Sequence, residues 1–192
     1  LNQMNGKMAF YSDMATDAIS YFRIDHFEAK TPQSSFSTSG TIDHLFSDIR
    51  CNLSSDADIL LAEMNPMIPA DLKTKVSGRA VGKVKSDFTM SQIDKMQLEK
   101  MKLSGSVTVD NLDAQYDSIS LKTGHTTIEF AIPNNKATNK NTRFVFAKLD
   151  TDHLETSKIK SYNATLENAS MQIEASDMRD TTRIPYVNMV FK

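Results

Sequence analysis

The sequence predicts a mainly β protein: a twisted, curved antiparallel sheet, groove-like or partly closed, with one or two short helices. Three observations predict it. Apolar and polar residues alternate with period two through most of the chain, the pattern of strands with one sheltered face. The connections between the alternating runs are short and polar, which joins neighbouring strands antiparallel. Helical periodicity is confined to two short stretches. At 192 residues, the chain is long enough to bury a substantial core, and it reads as a single β-rich unit over 1–192.

The elements follow in order. Lys7 to Tyr11 and Tyr21 to Lys30 read as strands. In the second, the apolar phase slips from Phe22 and Ile24 to Phe27 and Ala29, which predicts a bulge near Asp25 and His26. Thr31-Pro32-Gln33 separates it from the strand Ser34 to Ile42, and Ile49 to Leu53 follows. Ser54-Ser55-Asp56-Ala57-Asp58 then resembles a helix start, with Ser55 and Asp58 as a weak capping box. Leu60, Leu61 and Met64 share a helical face, and Pro66 and Pro69 stop its continuation. A short helical insertion is therefore expected near 56–65.

The strongest strand runs from Val76 to Phe88. Val76, Gly78, Ala80, Gly82, Val84, Ser86 and Phe88 fall on one face, and the other face is charged except at Val81. Between Ser91 and Lys100 a second helix is possible, although Ile93, Met96 and Leu98 lack a clean period. Met101, Leu103, Gly105, Val107 and Val109 form the apolar side of the next strand. Ile119 with Leu121, and Ile128 with Phe130 and Ile132, read as further strands. Asn134 to Thr142 reads as a hairpin loop. Arg143 to Leu149 is apolar on both sides, the mark of a central or wrapped strand. Ala169, Met171, Ile173 and Ala175 alternate again, and Val187, Met189 and Phe191 close the chain. Ser-Gly recurs inside strands at Ser39-Gly40, Ser77-Gly78 and Ser104-Gly105, which suggests regular bending, because glycine in a strand marks a bend, a bulge or a close approach.

Composition excludes several functions. Lys plus Arg is 22 and Asp plus Glu is 24, a net charge of −2, which leaves no broad basic grip for nucleic acid. The single cysteine, Cys51, excludes an internal disulfide and any zinc site needing two or more thiolates. No segment approaches the roughly 18–20 apolar residues of a membrane-spanning helix. The chain opens at Leu1 without a signal peptide and stops inside a strand, so a fragment of a longer protein is expected.

No catalytic constellation emerges, and a non-enzymatic role is expected. Cys51 shares its strand phase with Ile49 and Leu53, so it reads as a small core hydrophobe. The histidines His26, His44, His125 and His153 lack zinc-helix spacing. Asp150-Thr151-Asp152-His153 reads as a solvated turn. Glycine-rich phosphate loops and the Gly-x-Ser-x-Gly elbow are absent from the sequence. No cofactor is implied. Lys73, Lys75, Arg79, Lys83 and Lys85 make a basic stripe, which reads as an ordinary solvated face.

The segment Val76-Ser77-Gly78 through Lys102-Leu-Ser-Gly-Ser-Val-Thr-Val-Asp-Asn-Leu112 resembles the AsmA family of bacterial cell-envelope proteins. The runs Ser37-Thr-Ser-Gly-Thr-Ile42, Tyr116 to Pro133 and Asn163-Ala-Thr-Leu-Glu-Asn-Ala-Ser-Met-Gln-Ile173 resemble it too. The likeness is closest to the versions of the Bacteroides group. It implies a periplasmic, inner-membrane-anchored protein whose anchor lies outside this chain. It also implies a long curved sheet with an apolar inner face that guides phospholipid or other lipid between membranes, with envelope proteins as possible partners.

The residues expected to face lipid are Val76, Ala80, Val84, Phe88, Leu103, Val107, Val109, Ile128, Phe130, Ile132, Met171 and Ile173. One or two short helices cannot cover so many strands. Either the sheet closes on itself as a sandwich or barrel, giving a self-filled structural or adhesin-like module, or its apolar side stays open for a ligand.

Overall fold

A computed structural model describes residues 2–13, 15–16, 19–69, 74–95, 97–117, 119–135, 137, 144–159, 162–176 and 186–192. The strands are β1 (Gln3–Tyr11), β2 (Tyr21–Lys30), β3 (Ser35–Asp43), β4 (Arg50–Leu60), β5 (Thr74–Thr89), β6 (Lys102–Tyr116), β7 (Ile119–Ile132), β8 (Val145–Ile159), β9 (Tyr162–Ala175) and β10 (Val187–Phe191). They form a single ten-stranded sheet in chain order. Each paired neighbour is antiparallel, and the sheet does not close into a barrel. Short connections between period-two runs produce this meander directly.

The helical expectations need correction. Asp56 to Leu60 belong to β4, and a 3₁₀ helix occupies Leu61–Met67 with Pro66 inside it. The run Ser54–Asp58 works as a strand because Asp56 and Asp58 lie opposite Lys83 and Val81 of β5, where Lys83 and Arg79 neutralise the two carboxylates. The 3₁₀ segment is tied down at two points. Glu63 accepts hydrogen bonds from the hydroxyls of Thr31 and Ser34. Asn65 accepts from the Val76 amide at 2.9 Å and donates to the Val76 carbonyl at 2.8 Å, mimicking a strand neighbour. The second helical stretch splits into α1 (Met90–Asp94) and a 3₁₀ turn at Leu98–Lys100. Asp48 accepts from the amide and hydroxyl of Ser91 at 2.9 and 2.6 Å and anchors the start of α1.

The expected bulge in β2 is present. Ile24 and Phe27 pair with Gly40 and Thr38, so β2 carries one residue more than β3 there. A larger irregularity crosses the other half of the sheet. Ala80 pairs with Val109, and Val76 with Ala114, so β6 has one extra residue relative to β5. The same surplus recurs in β7, β8 and β9, where Thr126–Thr151–Ala169 and Leu121–Thr156–Ala164 form matching rows. A continuous crease runs level with Asn111, Gly124, Asp152 and Asn168. Asn111 and Asn168 take φ of 50° and 49°, a conformation that asparagine tolerates better than most residues.

Threonines satisfy the polar groups at the crease. Thr126 and Thr151 are 4% and 5% exposed. Their hydroxyls lie 2.7 Å apart, and that of Thr151 donates to the His153 carbonyl at 2.8 Å. Asp150–His153 is therefore strand at this crease, not a turn. The single extra residue per strand flips the parity of everything beyond it, so Leu112, Leu121, Leu154 and Leu166 return to the same face as Val109, Ile128, Leu149 and Met171.

Gly40 shows why the repeated glycines are needed. Its φ is +138°, and a Cβ there would sit 2.0 Å from the Asn52 carbonyl oxygen of the adjacent strand. Gly105 has no such backbone constraint, but a Cβ would meet the Lys83 carbonyl oxygen at 2.4 Å and the Phe130 ring at 2.9 Å. Both glycines permit close approach of a neighbouring strand.

Candidate functional site

Directly paired residues of antiparallel strands share a face, so the register fixes the composition of both sides. One face carries Met4, Met8 and Phe10 from β1, Phe22, Ile24 and Phe27 from β2, and Phe36 and Ile42 from β3. It continues through Cys51, Leu53 and Ile59 of β4. Val76, Ala80, Val84 and Phe88 follow on β5, and Leu103, Val107 and Val109 on β6. Ile128, Phe130 and Ile132 of β7 lie opposite Val107, Gly105 and Leu103. Met171 and Ile173 of β9 reach the same face through Leu149 and Ala147 of β8. All twelve residues singled out from the sequence are brought together on this one surface.

Sequence reasoning missed further members of this surface. Leu112, Ala114, Tyr116, Leu121, Leu154 and Leu166 lie beyond the crease on the same side. The signal that would have found them is an asparagine after an acidic residue, at Asp110-Asn111 and Glu167-Asn168, where two of the inserted residues sit.

Among the described residues, no second layer covers this face. Among the described residues, the buried apolar side chains are only Ile24, Met101 and Ala175. The twelve candidate residues are half-buried, sheltered by one another. Toward the two edge strands the surface opens further, with Phe10 65% and Phe191 68% exposed. The accessible surface is 12602 Å², against about 9,200 Å² expected for a compact chain of this mass. A sandwich or closed barrel would bury far more.

The opposite face is polar and laced with ion pairs. Arg79 grips Asp58 with two nitrogens at 2.7 Å, and Arg50 grips Asp87 at 2.9 and 3.0 Å. Lys83 reaches Asp56 at 3.2 Å. The guanidiniums hold the Asp58 and Asp87 carboxyls below the usual carboxylate range through these hydrogen bonds. The basic stripe on β5 is thus largely neutralised at Arg79 and Lys83; Lys73 lies outside the described residues. His125 and His153 bond to Asp110 and Glu167, each at 2.7 Å across one strand boundary. No cluster able to hold a metal ion occurs among the described residues.

Cys51 is half-buried on the apolar side, and desolvation pushes its thiol pKa up, which opposes nucleophile formation. Besides one of about 390 Å³ beside Lys30, Ser35, Asp58 and Arg79, two larger depressions lie on the polar face. One of about 450 Å³ includes Glu28, Ser37, Asp56, Val81 and Lys83 in its lining. The other, about 670 Å³, lies against Glu129, Phe146 and Glu174 beneath Pro133, Asn134 and Asn135. The apolar face has breadth and continuity across the strands. Among the described residues, no helix is long and apolar enough to cross a membrane. Compared with known protein families, curated proteins and solved structures, the chain gives no match.

Proposed function

We propose that this chain is the lipid-guiding part of an AsmA-like envelope protein, working in the periplasm of a protein anchored elsewhere in the inner membrane. The observation that carries the reading is the apolar face running across all ten strands, which no second layer covers among the described residues. Water penalises such a surface, and an acyl chain relieves the penalty. Each CH₂ buried against it contributes about 0.8 kcal/mol.

The mechanism needs no catalytic group. Valine, leucine and isoleucine side chains form a smooth bed, while Met8, Met171 and Met189 adapt to irregular chains. A charged head group stays in water at the rim. The Thr126 and Thr151 hydroxyls buried at the crease are bonded to each other and to the His153 carbonyl, and the Thr156 hydroxyl just beyond it is buried without a partner.

The test is mass spectrometry of organic extracts from full-length protein purified without detergent. Stoichiometric phospholipid in the wild type, reduced at least about tenfold by Val107→Asp with retained β-sheet circular dichroism, supports the reading. Lipid-free wild-type protein overturns it. A second reading, a module that adds strands to a partner protein, is favoured by the exposed edge strand β1, whose ladder is unpaired on one side. Lipid-free protein that captures an envelope protein through β1 would select that reading.

A further inference from the structure

Methionine is distributed unevenly over the apolar face. It enters from β1, at Met4 and Met8, and from β9 and β10, at Met171 and Met189. The strands between them, β2 to β8, contain none. Thioethers therefore line the two margins of the surface, while aliphatic and aromatic side chains fill its middle.

Exposure separates the outermost of these residues from the rest. Met4 is 64% exposed, Met8 49% and Met189 55%. Met171, one strand further in, is half-buried, and Met101, just before β6, is only 7% exposed. The cross-strand partners of Met4, Met8 and Met189 are Ala29, Ile24 and Ile173, and none of these carries a side-chain hydrogen-bond donor.

A thioether sulfur attacks the electrophilic oxygen of a peroxide with a lone pair. The S–O bond forms as the O–O bond breaks, sulfur gives up two electrons, and hydrogen peroxide leaves as water. The step requires only that the oxidant reach the sulfur. The product is a polar sulfoxide in place of a flexible apolar side chain. Among apolar neighbours its oxygen finds its partner in water, so covering that margin with an apolar molecule strips a hydrogen bond away.

We propose that Met4, Met8 and Met189 are oxidant-sensitive modification sites, through which peroxide converts both margins of the apolar face from apolar to polar. Met64, Met67 and Met90 are exposed as well, but they belong to the 3₁₀ segment and the start of α1, not to the strand face, and their oxidation leaves that face unchanged. Any effect on lipid rests on the reading above; the change in the surface does not.

The test treats the purified chain with hydrogen peroxide. Peptide mass spectrometry locates the added oxygens, and titration with the apolar dye anilinonaphthalene sulfonate reads the exposed face. Met4, Met8 and Met189 should oxidise well before Met101, and the dye should then bind at least about threefold more weakly. The triple variant Met4→Leu, Met8→Leu, Met189→Leu, close to Met in volume, should bind dye like untreated wild type and keep that affinity in peroxide. The triple variant with Gln at the same positions should bind weakly without any oxidant. Oxidation of Met101 as fast as of the three, unchanged dye affinity in oxidised wild type or in the Gln variant, or equal loss from the Leu variant would each overturn the proposal. Lipid-free extracts of the full-length protein would sink lipid carriage and leave these dye measurements standing.

Discussion

The two faces of this sheet solve the same problem differently. The polar face satisfies itself: Arg50 with Asp87, Arg79 with Asp58, Lys83 with Asp56 and Lys148 with Asp150 all pair within the sheet. The apolar face has no such closure. Its side chains shelter one another partially and leave Met4, Phe10, Met189 and Phe191 open at the edges. The comparison teaches that the polar side pairs its charges within the sheet, while the apolar side finds no covering layer among the described residues.

The largest expected effect comes from charging the open face. Phe130→Asp should abolish lipid carriage, whereas Thr127→Asp, three positions away and on the polar side, should leave it unchanged. Lipid quantification with circular dichroism as a folding control reads both. Equal loss from both would erase the distinction between the faces.

Next comes Gly40→Ala. The added Cβ meets a backbone carbonyl in a conformation that L-residues rarely adopt, so a destabilisation above ~2 kcal/mol is expected in chemical denaturation. Gly124→Ala should cost less. Its Cβ would meet Asp152 Oδ1 at 2.2 Å, but a carboxylate can rotate away where a carbonyl cannot.

Acid then tests the polar face as a whole. Asp58 and Asp87 are held low by their arginines, Asp150 by Lys148 and Ser170, and Glu63 by the hydroxyls of Ser34 and Thr31. A carboxyl lowered on folding stabilises the fold above its ordinary pKa and loses that contribution as pH falls through the lowered value. Denaturation midpoints should be level above about pH 5 and fall below about pH 4. Constant stability down to about pH 2 would show that these pairs contribute nothing. The smallest effect is expected from Arg79→Ala alone, a melting-temperature change close to the error of the measurement, because both partners of that exposed pair are screened by water.

Much of this architecture was legible in the sequence because alternation is a local signal. Val76 to Phe88 announces its strand residue by residue, and the slip from Ile24 to Phe27 announces the bulge in β2. Alternation fails wherever one residue is inserted. At Asn111, Gly124, Asp152 and Asn168 the parity flips, so β6 reads as ending near Val109, β7 reads as two strands, and Asp150–His153 reads as a turn. The register across four strands, which no single segment contains, restores continuity. The helix expected near 56–65 failed for a different reason. Ser and Asp favour helix starts locally, but opposite Lys83 and beside Arg79 they suit the polar side of a strand. Phe146 is the remaining case: its segment reads as apolar on both sides, and only the fold places that ring under Asn134.

The most direct test places a photo-crosslinking amino acid at Ile128 or at Thr127 of the full-length protein in cells. These adjacent residues of β7 face opposite sides of the sheet. Lipid adducts at position 128 and none at position 127 are the predicted result; adducts at neither position, or equally at both, would contradict the claim that the apolar side carries lipid.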